Sequence, residues 1–264
     1  MGDSIGDSFF IDYRNPVVQQ WNFTIQQQVK RDWVFEAGYL GSKGNNLIDG
    51  ESNSAYSQLP ASFFALGSGL TKSVPNPFYG IISTPNSPYS QPTIQQRFLL
   101  SAYPQYQGVN GFRKPRANSI YHGLTLSAER RFANGLSTLA SFTGSKLLDD
   151  ASQVVTFLGA AGTKQDFYCR KCEKSVSAQD VSKRLVVSAN YELPFGRGRS
   201  YFAGMVRPVD FVLGGWQING IATFSTGTPL AISNGGNNTN IGSPGQGRIT
   251  TGIRPRRAGR SRTA

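Results

Sequence analysis

The residues with the greatest chemical capacity are Cys169 and Cys172, in the run Cys169-Arg170-Lys171-Cys172. Two thiols at that spacing can form half of a zinc site, a redox pair or a local disulfide. A closed zinc site wants four ligands, and the only other soft candidate is His122, 47 residues away in a stretch that reads as a strand. A local disulfide, or an incidental pair in an external loop, is therefore favoured, and oxidising surroundings would permit the disulfide. Neither a metal nor any other cofactor is expected.

His122 is the sole histidine, so any Ser-His-Asp or Cys-His arrangement would have to use it. It alternates onto the same face as Leu124 and Leu126, which favours a packing or interfacial role. Asp149-Asp150 and Asp166 could be paired carboxylates or calcium ligands, but in a polar loop they are expected to be solvated acids. Gly196-Arg197-Gly198-Arg199 resembles a phosphate-cradling loop only superficially, because no Lys-Ser/Thr and no expected helix follow it. A turn is the better reading. No enzyme is expected from these residues.

The elements that carry them read as strands. Thirty Gly, 14 Pro and 31 aromatics, beside only 42 charged residues in 264, favour strands and turns over helices. No apolar stretch approaches the roughly 20 residues of a spanning helix, so any membrane insertion must use strands. Trp21, Phe23 and Ile25 alternate with Asn22, Thr24 and Gln26, and after Lys30-Arg31-Asp32 the pattern resumes at Trp33, Phe35, Ala37 and Tyr39. These segments run to about ten residues, the length that crosses a bilayer as a tilted strand. A second hairpin sets His122, Leu124, Leu126 and Ala128 against Tyr121, Gly123, Thr125, Ser127, Glu129 and Arg131. It turns at Ala133-Asn134-Gly135 and returns from Leu136 to Leu147. Two more strands surround Leu185–Tyr191 and Trp216–Phe224, and residues 94–103 suggest a weak seventh.

Between the hairpins lie residues 42–93 and 148–181, rich in Gly, Asn, Ser and Pro and too long for casual connectors in a compact soluble domain. Short turns alternating with long loops, and one apolar face opposite one polar face, are the pattern of an outer-membrane barrel. The fold expected is all-β, an antiparallel transmembrane barrel segment of six or seven strands with long loops, in the cell outer membrane against its lipid. Trp21, Trp33, Tyr39, Tyr121, Tyr191 and Trp216 fall near strand ends, where a membrane-interface girdle would lie. On the polar face, Glu36, Glu129, Arg131, Lys146 and Glu192 are expected to pair across neighbouring strands. A soluble β-sandwich, in the form of a secreted or surface-attached β-rich binding protein, is the alternative. Its strands would be shorter, with two apolar faces packed together.

The net charge of +12 suggests nucleic acid, but six arginines lie within the last 17 residues. The expected division is a partial barrel over residues 1–247 and a basic, disordered tail over 248–264, with no nucleic-acid partner. The tail is either native or the product of a frameshift or contig end. The first residues show no basic start followed by an apolar run, so an export signal is expected upstream of them.

Particular words narrow the class. They are Asn15-Pro16-Val17-Val18-Gln19-Gln20-Trp21-Asn22, Tyr39-Leu40-Gly41-Ser42-Lys43-Gly44 and Tyr121-His122-Gly123-Leu124-Thr125-Leu126-Ser127-Ala128-Glu129-Arg130-Arg131-Phe132. Ser141-Phe142-Thr143-Gly144-Ser145-Lys146, Tyr191-Glu192-Leu193-Pro194-Phe195-Gly196-Arg197-Gly198 and Leu213-Gly214-Gly215-Trp216-Gln217-Ile218 follow. In this order they resemble the barrel of Oar-like TonB-dependent receptors over roughly residues 13–240. The resemblance implies a barrel of about 22 strands with an amino-terminal plug, energised through the TonB system and taking up a large, unidentified solute. This chain has room for about a third of such a barrel, and so implies a wall fragment inactive in transport alone.

Overall fold

Six long strands carry the architecture: β1 (Val17–Val29), β2 (Trp33–Ile48), β3 (Pro115–Ala133), β4 (Leu136–Asp149), β5 (Lys183–Glu192) and β6 (Gln217–Ser225). The structure, a computed structural model, describes residues 5–8, 14–48, 58–111, 115–133, 135–150, 168–204, 206–229, 231–233, 240 and 248–250. Asn134, Asp166, most of 234–240 and residues 251–264 lie outside that set.

Each long strand hydrogen-bonds antiparallel to its neighbours in sequence, giving the up-and-down order β1-β2-β3-β4-β5-β6. Two of the connections at one end, β1 to β2 and β3 to β4, reverse direction within a few residues. Lys30–Asp32 joins β1 to β2, with Lys30 at a φ of 57°. Gly135 helps close β3 onto β4 at a φ of 79°, and any Cβ there would also press on the Glu192 carbonyl oxygen 3.0 Å away. Among the described residues β1 and β6 do not pair with each other, so the sheet is an unclosed arc of antiparallel wall.

The strands of the first two hairpins outrun their sequence signal. β2 continues through Gly41–Ile48, which reads as loop, because β3 extends back to Pro115 and supplies its partner through register shifts near Gly44 and Leu47. The weak strand expected over 94–103 is not part of the sheet. Thr93–Gln95 pairs with Ser73–Pro75, and the chain then turns into the helix Gln96–Leu99, whose Phe98 and Leu99 pack on Tyr89 and Ile94. Ser175–Val176 adds a stub to the end of β4. Ala231–Ser233 pairs with Arg248–Thr250.

The buried apolar cluster expected of a soluble protein lies outside the sheet. It occupies the long connection from β2 to β3, where Leu59 and Leu70 pack with Phe63 and Leu100, and Ile82, Tyr89 and Ile94 pack with Val74, Phe78, Phe98 and Leu99.

Candidate functional site

Directly opposed residues of antiparallel strands share a face, so the register assigns every side chain of the sheet to a side. One transverse row reads Ile25, Ala37, Leu126, Phe142, Leu185 and Phe224. The adjacent row reads Gln27, Phe35, Ala128, Ala140, Val187 and Ala222. The opposite face reads Gln26, Glu36, Ser127, Ser141, Val186 and Thr223, then Thr24, Gly38, Thr125, Thr143, Arg184 and Ser225. Apolar side chains thus line one side of all six strands and are widely exposed there, Phe23 at 65%. A patch of this extent needs lipid or protein against it.

The aromatics expected at strand ends divide by level and by face. Trp33, Tyr191 and Trp216 stand at the short-turn end of the apolar side, where the Trp216 indole N–H donates to the Val212 carbonyl at 2.8 Å. Trp21 and Tyr39 lie toward the long-loop end of the same side, with Trp21 seated over Gly41 so closely that a Cβ there would overlap the indole. Tyr121 is on the polar side, opposite Ser42 and Leu147, its hydroxyl folded over Gly123. His122 shares the apolar side, and its Nδ1 hydrogen-bonds the Tyr39 hydroxyl at 2.7 Å. Each polar tip thereby satisfies the other on a surface short of water.

Lys146, expected on the polar side, is on the apolar one, opposite His122 at the long-loop margin. Phe142 and Gly144 fix the phase of β4, which carries Lys146 onto the side of His122. On the polar face Glu192 pairs with Arg199 at 2.9 Å, so its partner comes from the following connection and not from a neighbouring strand. No ion pair forms to Glu36, Glu129 or Arg131 among the described residues.

At the short-turn end the connection 193–216 is more than the turn its glycines suggest. Gly196, at a φ of 122°, lets the Arg197 N–H reach Asp210 Oδ1 at 2.8 Å, and Asp210 sits in a short helix, Arg207–Leu213. The helix escapes a sequence reading because Pro208 precedes barely one turn of apolar residues. Phe211, 91% exposed, projects from it beside exposed Val212 and Leu213.

At the long-loop end two carboxylates hold the connections down. Asp150 is buried rather than solvated, a correction to the expectation for this polar loop. It accepts from the Asn118 N–H at 2.6 Å and the Asn118 amide at 2.9 Å, and pairs with Arg170 at 3.2 Å. Desolvation of a carboxylate is tolerated only with such partners. Asp180, which sequence reasoning missed, accepts from the Leu147 N–H at 2.7 Å and from Ser182 at 2.8 Å. Asn76 was also missed. Its amide donates to the Tyr89 and Gln91 carbonyls at 2.8 and 2.7 Å, and its position between two prolines was the available signal. Burial pushes the Tyr89 phenol up to about 12, and its hydroxyl donates to the Tyr106 carbonyl at 2.9 Å. Cys169 and Cys172 are joined by a disulfide with Cα atoms 5.3 Å apart. Among the described residues no three His, Cys, Asp or Glu side chains gather as metal ligands, and no catalytic constellation forms.

Comparison with known proteins matches a family model described as an outer membrane beta barrel domain over residues 7–264. No curated protein and no solved structure matches.

Proposed function

The chain belongs to the outer-membrane β-barrel domain family, and from that premise we propose that it is wall from a TonB-dependent receptor that takes up a large solute. The observation that carries this is the mainly apolar side that runs across all six meandering strands, backed by a mainly polar side. An outer-membrane wall presents its apolar side to lipid and its polar side to a water-filled or plugged lumen. Six strands fall short of the roughly eight that the smallest barrels use, and an unpaired strand edge is untenable in lipid. The arc therefore needs further strands to close. In this reading the connections 49–114 and 150–182 face outward and select the solute. Energy reaches the barrel through a plug that contacts the TonB system. The chain alone does not transport.

A surface-attached β-rich binding protein would account for the ordered loops, but it would leave the apolar side of six strands against water. Sequencing the genomic DNA on both sides and translating it in all frames tests the receptor assignment. Codons for an export signal and plug upstream, with more alternating strands downstream, are expected. A reading frame bounded by neither would sink it.

A further inference from the structure

A cavity of about 450 Å³ opens at the long-loop end of the sheet. Its floor is Lys43, Ile120 and Leu148, which lie opposite one another in a single row of the apolar side. The rest of its lining comes from the disulfide loop, which supplies Arg170 and Lys171, and from Lys174 just after it. Among the described residues the only acid in the lining is Asp150, already engaged by Asn118 and Arg170. No ion pair forms to Lys43, Lys171 or Lys174 among the described residues, and all three are exposed. Lys146 adds a further cation on the same face, two residues before Leu148.

The height of this cluster matters as much as its charge. Lys43 lies ten residues along β2 from Trp33, the aromatic of the opposite margin. At about 3.4 Å per residue and a tilt of roughly 40° this spans about 26 Å, close to the ~25 Å apolar band of a barrel wall. The cations thus sit where acyl chains give way to headgroups, on the side that the long loops mark as outer. Ile120 and Leu148 continue the apolar surface below them.

We propose that this cavity binds the phosphorylated headgroup of an outer-leaflet glycolipid. Lys43, Lys171, Lys174 and Arg170 would hold the phosphates, and the acyl chains would run down the Ile120–Leu148 side. The proposal rests on the outer-membrane placement with the long loops outward.

Flotation of the complete receptor, in which this wall is closed into a barrel, with three kinds of vesicle tests it: phosphatidylcholine alone, phosphatidylcholine with a bisphosphorylated glycolipid, and phosphatidylcholine with the same glycolipid dephosphorylated. Membrane placement predicts flotation with all three, and the cavity predicts tighter binding to the phosphorylated one alone. Lys43→Gln, Lys171→Gln and Lys174→Gln together should remove that increment, roughly fivefold for each charge lost, and leave phosphatidylcholine binding unchanged. Lys30→Gln with Arg31→Gln, at the opposite end of the sheet, should keep it. Equal binding to the phosphorylated and dephosphorylated vesicles overturns the proposal, as does full retention by the triple variant. Loss of the increment to millimolar inorganic phosphate would make this a free-phosphate site and overturn the lipid assignment. Failure to float with any vesicle strikes the membrane placement itself, and the glycolipid site falls with it.

Discussion

Phe23 on the sheet and Tyr89 in the long connection are both aromatic, yet the first is 65% exposed and the second has no exposed surface. The two regions differ in whether they hold a buried core. In the segment 58–108, Leu59, Leu70, Ile82, Tyr89 and Ile94 are buried while Phe64, Tyr79 and Ile81 stay exposed, and polar Asn76 pins the backbone, so that this segment carries small apolar cores of the kind a water-soluble protein builds. In the sheet, the register gathers the apolar side chains on one widely exposed side and most polar ones on the other. One chain thus obeys two solvents. The hydrophobic effect organises the loop by burying its apolar area from water. The sheet instead relies on its antiparallel ladder to satisfy the backbone and leaves its apolar side for lipid.

Substitutions should separate the two regions. The largest effect is expected from Tyr89→Ala, which empties a fully buried site and should cost the loop about 3–5 kcal/mol. Limited proteolysis would then cut within 58–108 while vesicle association is unchanged; loss of both together would mean that loop and sheet fold as one unit. Leu126→Arg, in the middle of the apolar side, should cost about 2–4 kcal/mol in lipid, whereas Thr125→Arg on the other side should be nearly neutral. Denaturant titration of the closed barrel in vesicles compares them, and equal costs would erase the distinction between faces. Asp150→Ala strips the Asn118 N–H and Arg170 of their acceptor and should cost on the order of 1–3 kcal/mol. Faster hydrogen exchange at Asn118 and 168–182, with the β1–β2 ladder unaffected, is the expected readout.

The smallest effect is a pH response confined to the loop. The Tyr89 phenol is raised from 10.0 to about 12 by burial, so the folded loop holds its proton more tightly than the unfolded chain does. That contribution is complete below pH 10 and is lost as pH rises from there through about 12. Proteolysis of the loop should accelerate over that window, and Tyr89→Phe should remove the acceleration.

The sheet was legible because period-two alternation is written residue by residue: His122, Leu124 and Leu126 against Thr125 and Ser127 fix a face without any tertiary information. The strand ends were not legible. Gly41–Ile48 contains two Gly and two Asn and carries no alternating signal, so only pairing with β3 makes it a strand. The ordered loop was hidden for a related reason. Ile82, Tyr89 and Ile94 are brought together by packing with Val74, Phe78, Phe98 and Leu99 and by the hydrogen bonds of Asn76 to the Tyr89 and Gln91 carbonyls, and no local period announces that. Lys146 and Asp150 misled because charge was read as a sign of water, whereas one stands at a lipid margin and the other is buried on named partners. The cationic cavity was invisible, since it joins Lys43 to Lys171 and Lys174 across more than a hundred positions.

The most direct test of two solvents in one chain is a nitroxide scan of residues 121–130 of the closed barrel in vesicles, one labelled cysteine at a time, with Cys169 and Cys172 replaced by Ala. Oxygen, which concentrates in lipid, should relax the labels at 122, 124, 126 and 128 most strongly, and a water-soluble nickel reagent should favour the odd positions. Maxima on the odd residues, or no period of two, would contradict the assignment of the apolar side to lipid.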